Sequence, residues 1–234
     1  MITRDGLTPL LVIFCVTAVL LMVAVRWDSM IFASLAGLFA LLCVWSVFFF
    51  RDPERSFPPQ EGILTAPADG RILGIEKIAH HDYVGGEALR ISIFLSVLDV
   101  HINRIPADGV VDFVRYQPGK FFVAYCDKAS QFNEHTQIGI ITSSGHRIHV
   151  KQIAGIIARR IVCHLNAGDT VTAGERFGMI RFGSRTELVI PSDSRLRVKT
   201  GDHVKGSRTI LGFLPEPLVA ADSAEKATGE NVEL

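Results

Sequence analysis

The chain has 234 residues, 48% of them apolar, with 24 basic side chains balanced by 24 acidic ones. That length accommodates one ordinary globular domain with extra elements, and balanced charge without a long Lys/Arg block gives no sign of a nucleic-acid-binding surface. Four cysteines without C-x-x-C spacing predict neither a zinc site nor a disulfide framework, and fit a reducing compartment.

Apolar residues crowd the N-terminus. Residues 10–25 carry only Thr17 as a polar interruption, and residues 30–50 carry only Ser34 and Ser46. A helix needs roughly 20 such residues to cross a bilayer core, so the second run is long enough, and the first becomes so if Leu7-Thr8-Pro9 joins it. Only Arg26-Trp27-Asp28-Ser29 separates them, which predicts an antiparallel hairpin with Trp27 at one interface and both termini opposite. A signal peptide fits less well, because no small-residue cleavage pattern precedes Arg26 and a second apolar run follows at once. Arg4, Arg51 and Arg55 flank the open end, against Arg26 beside Asp28 in the loop, and this asymmetry places both termini in the cytoplasm, at the cell membrane. The pattern suits a spanning hairpin and one embedded in a single leaflet alike.

The prolines of residues 51–59 end the apolar stretch and divide a hairpin-and-linker segment, 1–56, from a second domain, 57–234. Short β-branched runs at 70–75, 88–95, 109–114, 137–142, 147–153 and 160–163 predict a β-rich body. A helix is expected around 122–132, and the tail from Ala220, rich in small polar and acidic residues, is expected to be disordered. Gly168-Asp169-Thr170-Val171 recurs 33 residues later as Gly201-Asp202-His203-Val204. This pair resembles the turns of barrel-sandwich folds such as lipoyl and biotinyl domains, although the modifiable lysine of those carriers has no match. The fold class is therefore mainly β, a β-rich α+β body with barrel-sandwich-like elements behind a two-helix membrane hairpin.

Gly-Ser-Arg-Thr occurs twice, at 183–186 and 206–209. A serine after a conformationally permissive glycine can attack the preceding carbonyl at a tight bend. The second copy falls inside the turn that follows Gly201-Asp-His-Val204, whereas Gly183-Ser184 stands at the head of a new strand, so Ser184 is the reactive candidate. His80-His81 and His146-x-x-His149 lack partners at zinc-site spacing, and no metal site is expected.

Three segments now act together: Thr65-Ala66-Pro67-Ala68-Asp69-Gly70, the run from Phe94 to Arg104 with Asp99-Val100-His101-Ile102-Asn103-Arg104, and the run from Ile153 to Cys163 with Arg181-Phe182-Gly183-Ser184-Arg185. As an ordered set they resemble the pyruvoyl-dependent phosphatidylserine decarboxylases, most of all the short bacterial branch with an N-terminal apolar hairpin. The resemblance implies self-cleavage between Gly183 and Ser184, giving 1–183 and a small chain 184–234 that remain associated as a heterodimer, with higher oligomers possible. Ser184 would become a pyruvoyl group, the only cofactor, which forms a Schiff base with the amine of phosphatidylserine and yields phosphatidylethanolamine and carbon dioxide. Asp69 would orient or activate a base during cleavage, and His101 would assist proton transfer. Asn103 and Arg104 would bind the substrate's phosphate or carboxylate. Longer family members carry a second histidine where Arg104 stands, so a strict Asp-His-Ser triad does not transfer. Asn133-Glu134-His135 resembles the family's Asn-Glu-Arg segment with His135 in place of arginine. A decarboxylase of another serine lipid, of the archaetidylserine type, and a membrane-tethered barrel-sandwich adaptor that stays uncut are the alternatives.

Overall fold

The computed structural model describes residues 1–56, 62–155, 161–181 and 183–217. Helices α1 (Arg4–Arg26) and α2 (Met30–Phe49) form the expected hairpin, and both are long and apolar enough to cross a membrane. Two of their polar side chains are satisfied internally: the hydroxyls of Thr17 and Ser34 donate to the carbonyls of Ile13 and Met30, four residues back. Backbone pairing closes the open end, where Ile2 bridges Arg51 and the Thr3 amide donates to Phe50 O at 2.9 Å. Leu10, Phe49 and Phe50 then pack on Val100, Ile102 and Met179, which seats the hairpin's base directly on the β body.

That body begins with β1 (Ile63–Thr65), a long hairpin of β2 (Gly70–His81) and β3 (Gly86–Leu95), and the short β4 (Ile102–Arg104). A second hairpin, β5 (Gly109–Gln117) and β6 (His135–Thr142), carries helix α3 (Asp127–Phe132) in its connection. Strands β7 (Arg147–Ile153), β8 (Ile161–Cys163), β9 (Thr170–Val171), β10 (Arg176–Ile180) and β11 (Ser184–Pro191) follow, then β12 (Arg195–Leu196), β13 (His203–Val204) and β14 (Ile210–Phe213). Eight of them form one antiparallel sheet in the order β13-β2-β3-β11-β7-β6-β5-β9; two three-stranded sheets, β1-β14-β12 and β4-β10-β8, complete the fold. Ile72, Ile91, Ile93, Ile138, Ile140, Ile148, Leu188 and Leu211 fill the interior between them.

The strand orders are palindromic. Exchanging β13 with β9, β2 with β5, β3 with β6 and β11 with β7 maps the large sheet on itself, and the same operation exchanges the two small sheets. Equivalent hydrogen bonds recur in both halves: Gly201 N to Ile72 O and Gly168 N to Val111 O, or Ser207 N to Ala66 O and Gly174 N to Ile105 O. The Gly-Asp-x-Val repeat is thus the visible trace of an internal duplication through the whole β body. Its other trace is Pro67-Ala-Asp-Gly70 repeated as Pro106-Ala-Asp-Gly109, each opening the first strand of a hairpin.

Two expectations change. The helix expected over 122–132 is only α3, because the Asn133 side chain clamps the Phe122 backbone in a loop, accepting from its N–H and donating to its carbonyl, each at 2.8 Å. The run at 70–75 extends to His81 as a strand. The tail from Ala220, residues 156–160 of the third motif and Phe182 lie outside the described residues.

Candidate active site

Gly183 has φ +64, a left-handed conformation that favours glycine, and it delivers the chain into β11 at Ser184. Ser184 is fully buried and pairs with Leu95 at the end of β3. Among the described residues its hydroxyl finds no hydrogen-bond partner. A buried polar atom left unpaired costs about 1–3 kcal/mol, a state the Ser184 hydroxyl shares with that of Ser194. The duplication supplies a control within the chain. Gly145-His146 occupies the matching position before β7, and Gly145 is likewise left-handed at φ +83, but there it closes an ordinary hairpin in which the His146 amide donates to Thr142 Oγ1 at 3.1 Å.

The carbonyl of Gly183 lies against Gly155. A Cβ placed on Gly155 would stand 1.8 Å from Gly183 O and 3.4 Å from the Ala124 methyl, so only glycine admits the carbonyl here. Asn133 fixes both walls of this cradle, since its amide nitrogen donates to Phe122 O at 2.8 Å and to Ala154 O at 2.7 Å. Beneath Ser184 on the same face of β11, Thr186 Oγ1 accepts from Asn103 Nδ2 at 3.1 Å, and Asn103 Oδ1 accepts from Gln152 Nε2 at 2.9 Å. Gly155, Gln152 and Thr186 escape a reading of the sequence: each matters through a contact made by folding, and only the position of Gly155 inside a family-like motif hints at it.

His101 enters from the neighbouring sheet. Its carbonyl accepts from the Ile180 amide at 3.3 Å, four residues before Ser184, and its ring packs 4.4 Å from that of Phe49 at the hairpin's base. Burial pushes its pKa down to about 4, only partly offset by the hydrogen bond to the Asp99 backbone and the charge of Asp99. The imidazole is therefore neutral at neutral pH, with Nδ1 3.0 Å from Asp99 O and with Nε2 unpartnered among the described residues. With Nδ1–H donating to that carbonyl, Nε2 is an available proton acceptor.

Asp69 stands on the other side of the same end of β3, two strand spacings or about 10 Å from β11 by sheet geometry. It accepts from the Gly206 amide at 2.8 Å and is held by both terminal nitrogens of Arg55. Its duplicate, Asp108, accepts from the Ala173 amide at 2.7 Å in the same manner, so capping this turn is the aspartate's shared structural duty. What Asp69 adds is Arg55, from the linker that leaves the hairpin. Ser207, the rival serine, has its hydroxyl occupied: it donates to Gly174 O at 3.2 Å from within a hydrogen-bonded turn.

Asn103 and Arg104 are 0% and 4% exposed, and both turn to internal partners. Arg104 donates to Asp52 Oδ1, Pro53 O and Gly174 O, each at 3.0 Å, which ties the linker to β4. These bonds give the pair a structural duty beside the substrate-binding role that the resemblance implies. Asp52 keeps its 2.8 Å pair with Arg176 when Arg104 is removed, but the carbonyls of Pro53 and Gly174 lose their donor, so Arg104→Ala is expected to destabilise the fold by about 1–3 kcal/mol, read as a lower midpoint in denaturant. Unchanged stability with a raised KM would instead assign the arginine to substrate.

Among the described residues no three His, Cys, Asp or Glu side chains gather as a metal-binding group. His81 and His149 approach to 5.1 Å between ring centres, while His146 Nε2 lies 2.9 Å from Glu216 O.

A buried serine behind a left-handed glycine at the head of an interior strand, on a body that seats an apolar hairpin, fits the class of a membrane-associated proenzyme. Comparison with known proteins identifies the family. The phosphatidylserine decarboxylase family matches residues 42–212. The phosphatidylserine decarboxylase proenzyme of Symbiobacterium thermophilum is 48% identical over 79% of this chain and 84% of its own length. Those of Desulfotalea psychrophila and Burkholderia pseudomallei are 48% and 49% identical over 76% and 78% of the chain, covering 83% and 84% of their own lengths. The chain belongs to the phosphatidylserine decarboxylase family.

Proposed function

We propose that this chain cleaves itself between Gly183 and Ser184 and then decarboxylates phosphatidylserine to phosphatidylethanolamine. The observation that carries the proposal is the buried, unpartnered Ser184 hydroxyl beside a scissile carbonyl that Gly155 admits. His101 Nε2 takes the hydroxyl proton as Ser184 Oγ attacks Gly183 C, and the peptide C–N bond gives way to an ester. Removal of the Ser184 α-proton expels the Gly183 carboxylate and leaves a dehydroalanine, whose hydrolysis releases ammonia and leaves the pyruvoyl ketone. Asp69 contributes negative charge that favours the imidazolium formed on His101. The burial of Ser184 and the hydrogen bonds of Asn103, Gln152 and Thr186 fit such a group, because they fix the end of β11 and exclude water from it.

A pyruvoyl ketone supplies an electron sink for the amine of the lipid head group as carbon dioxide departs. The protein's part is to hold that position rigid on an interior strand and to keep His101 neutral and able to move a proton. The hairpin confines enzyme and lipid to one surface, with the β body on the cytoplasmic side of the cell membrane. The two products of the cut, 1–183 and 184–234, remain paired as a heterodimer.

Intact-mass measurement after denaturing electrophoresis tests the reading. Two chains are expected, their junction at 183/184, the smaller lighter by one ammonia than simple hydrolysis gives and refractory to Edman sequencing. Active protein that is still one chain and inert to carbonyl-trapping reagents would overturn it.

A further inference from the structure

Arg51 stands two residues beyond the end of α2, and its guanidinium ties that helix end to a loop of the β body. Nη1 donates to Phe48 O at 2.8 Å, Nη2 donates to Leu98 O at 2.6 Å, and the group lies 3.9 Å from the centre of the Phe48 ring. The turn it holds, Ser96-Val97-Leu98-Asp99, is closed by the Ser96 amide on Asp99 Oδ2 at 2.8 Å and leads directly to His101. Its tip is apolar and open: Leu98 is 64% exposed.

A second loop reaches the same end of the sheet. Tyr125, 61% exposed, sets its ring 6.2 Å from that of Phe94, the residue before the one that pairs with Ser184. The neighbouring Ala124 faces the Gly155 cradle, and Phe122 stacks edge-on with Phe132 at 6.5 Å. Lys120 reaches over Phe122. Among the described residues of the β body, eight large apolar side chains are exposed, and five of them, Val97, Leu98, Phe122, Tyr125 and Phe132, lie on these two loops and α3. Apolar and aromatic tips with flanking Lys and Arg are the composition of a membrane interface.

We propose that the 96–99 turn and the 121–126 loop are a second membrane contact, continuous with the base of the hairpin, that sinks into the head-group and upper acyl region of the bilayer. The active-site end of the sheet is then pressed against the lipid. A serine head group reaches Ser184 between the two loops while its acyl chains stay among their neighbours, so the lipid need not be extracted. The seating of the hairpin's base on the body sets how the body approaches the membrane, and these loops add a second point of contact beside it. The inference rests on the decarboxylase reading for the head group it serves, but its depth test does not.

The test uses full-length protein in phosphatidylcholine vesicles. With Trp27→Phe and Trp45→Phe, the only two tryptophans are removed, and Leu98→Trp or Tyr125→Trp then reports a single position. Blue-shifted emission quenched by lipids brominated along the acyl chain, and shielded from aqueous iodide, is the expected result whether or not the protein turns over any lipid. Emission quenched by iodide and indifferent to bromolipid overturns the proposal. So does shielding from both quenchers, which would mean a second copy of the chain covers the loops. The activity arm uses Leu98→Asp and Tyr125→Asp, with unchanged self-cleavage as the check on folding. Turnover of phosphatidylserine in vesicles is expected to fall about tenfold or more, while that of a monomeric short-chain analogue stays within about twofold. Equal loss on both substrates, or no loss on either, contradicts the proposed contact. If the parent turns over neither substrate, the decarboxylase reading fails while the quenching result stands.

Discussion

Ser184→Ala is expected to leave a single full-length chain with no decarboxylase activity, while Ser207→Ala is still cut and active. The first change removes the hydroxyl proposed to attack Gly183, and alanine cannot give a ketone at that position. The second removes one hydrogen bond, from Ser207 Oγ to Gly174 O, at a cost of about 1 kcal/mol. Both serines follow glycine in the same tetrapeptide and both are fully buried, so neither local sequence nor burial separates them. Their hydroxyls do. One is engaged within a turn and the other has no partner among the described residues. Denaturing electrophoresis of the two variants decides the matter, and cleavage that persists in Ser184→Ala but vanishes in Ser207→Ala would move the reaction to the other turn.

Gly155→Ala is expected to slow self-cleavage by at least about 100-fold although no catalytic group is lost. The new methyl would sit 1.8 Å from the scissile oxygen, where an ordinary contact needs about 3.4 Å or more. The carbonyl must therefore shift by more than an ångström, and a displacement of that size at a reacting centre costs about 100-fold in rate. The time course of chain cleavage gives the rate, and the thermal melt of the uncut protein shows whether the fold survives. Wild-type cleavage in the alanine variant would remove Gly155 from the site.

The hairpin was legible because length and the absence of charge need no tertiary context. The β strands were legible as runs of Ile and Val between glycines, with errors at their ends. The duplication was half legible: Gly-Asp-x-Val stood out, but Pro67-Ala-Asp-Gly70 and Pro106-Ala-Asp-Gly109 are 39 residues apart rather than 33, so no single period joins the two repeats. The core strands share only an apolar pattern, and the halves are recognised through equivalent hydrogen bonds. At the site, the position of Ser184 behind a glycine at a strand start was legible. The surroundings of Asp69 and Arg104 were not. Their partners, Arg55 and Asp52, lie in the linker 14 and 52 residues earlier in the chain, and nothing in spacing announces such pairs. The resemblance supplied roles for those two residues; the structure supplies their neighbours.

Strand β11 lies fourth in a sheet of eight, hydrogen-bonded to β3 on one edge and β7 on the other. Once the backbone is severed at its first residue, folded protein loses nothing visible, since neighbours grip the new end from both sides. Unfolded protein loses its tether. Reassembly then requires two separate molecules to meet, and the short one must thread into a gap at the centre of the sheet. For a chain cut as proposed, refolding therefore depends on concentration where that of the uncut chain does not, and its working lifetime is set by how slowly it opens.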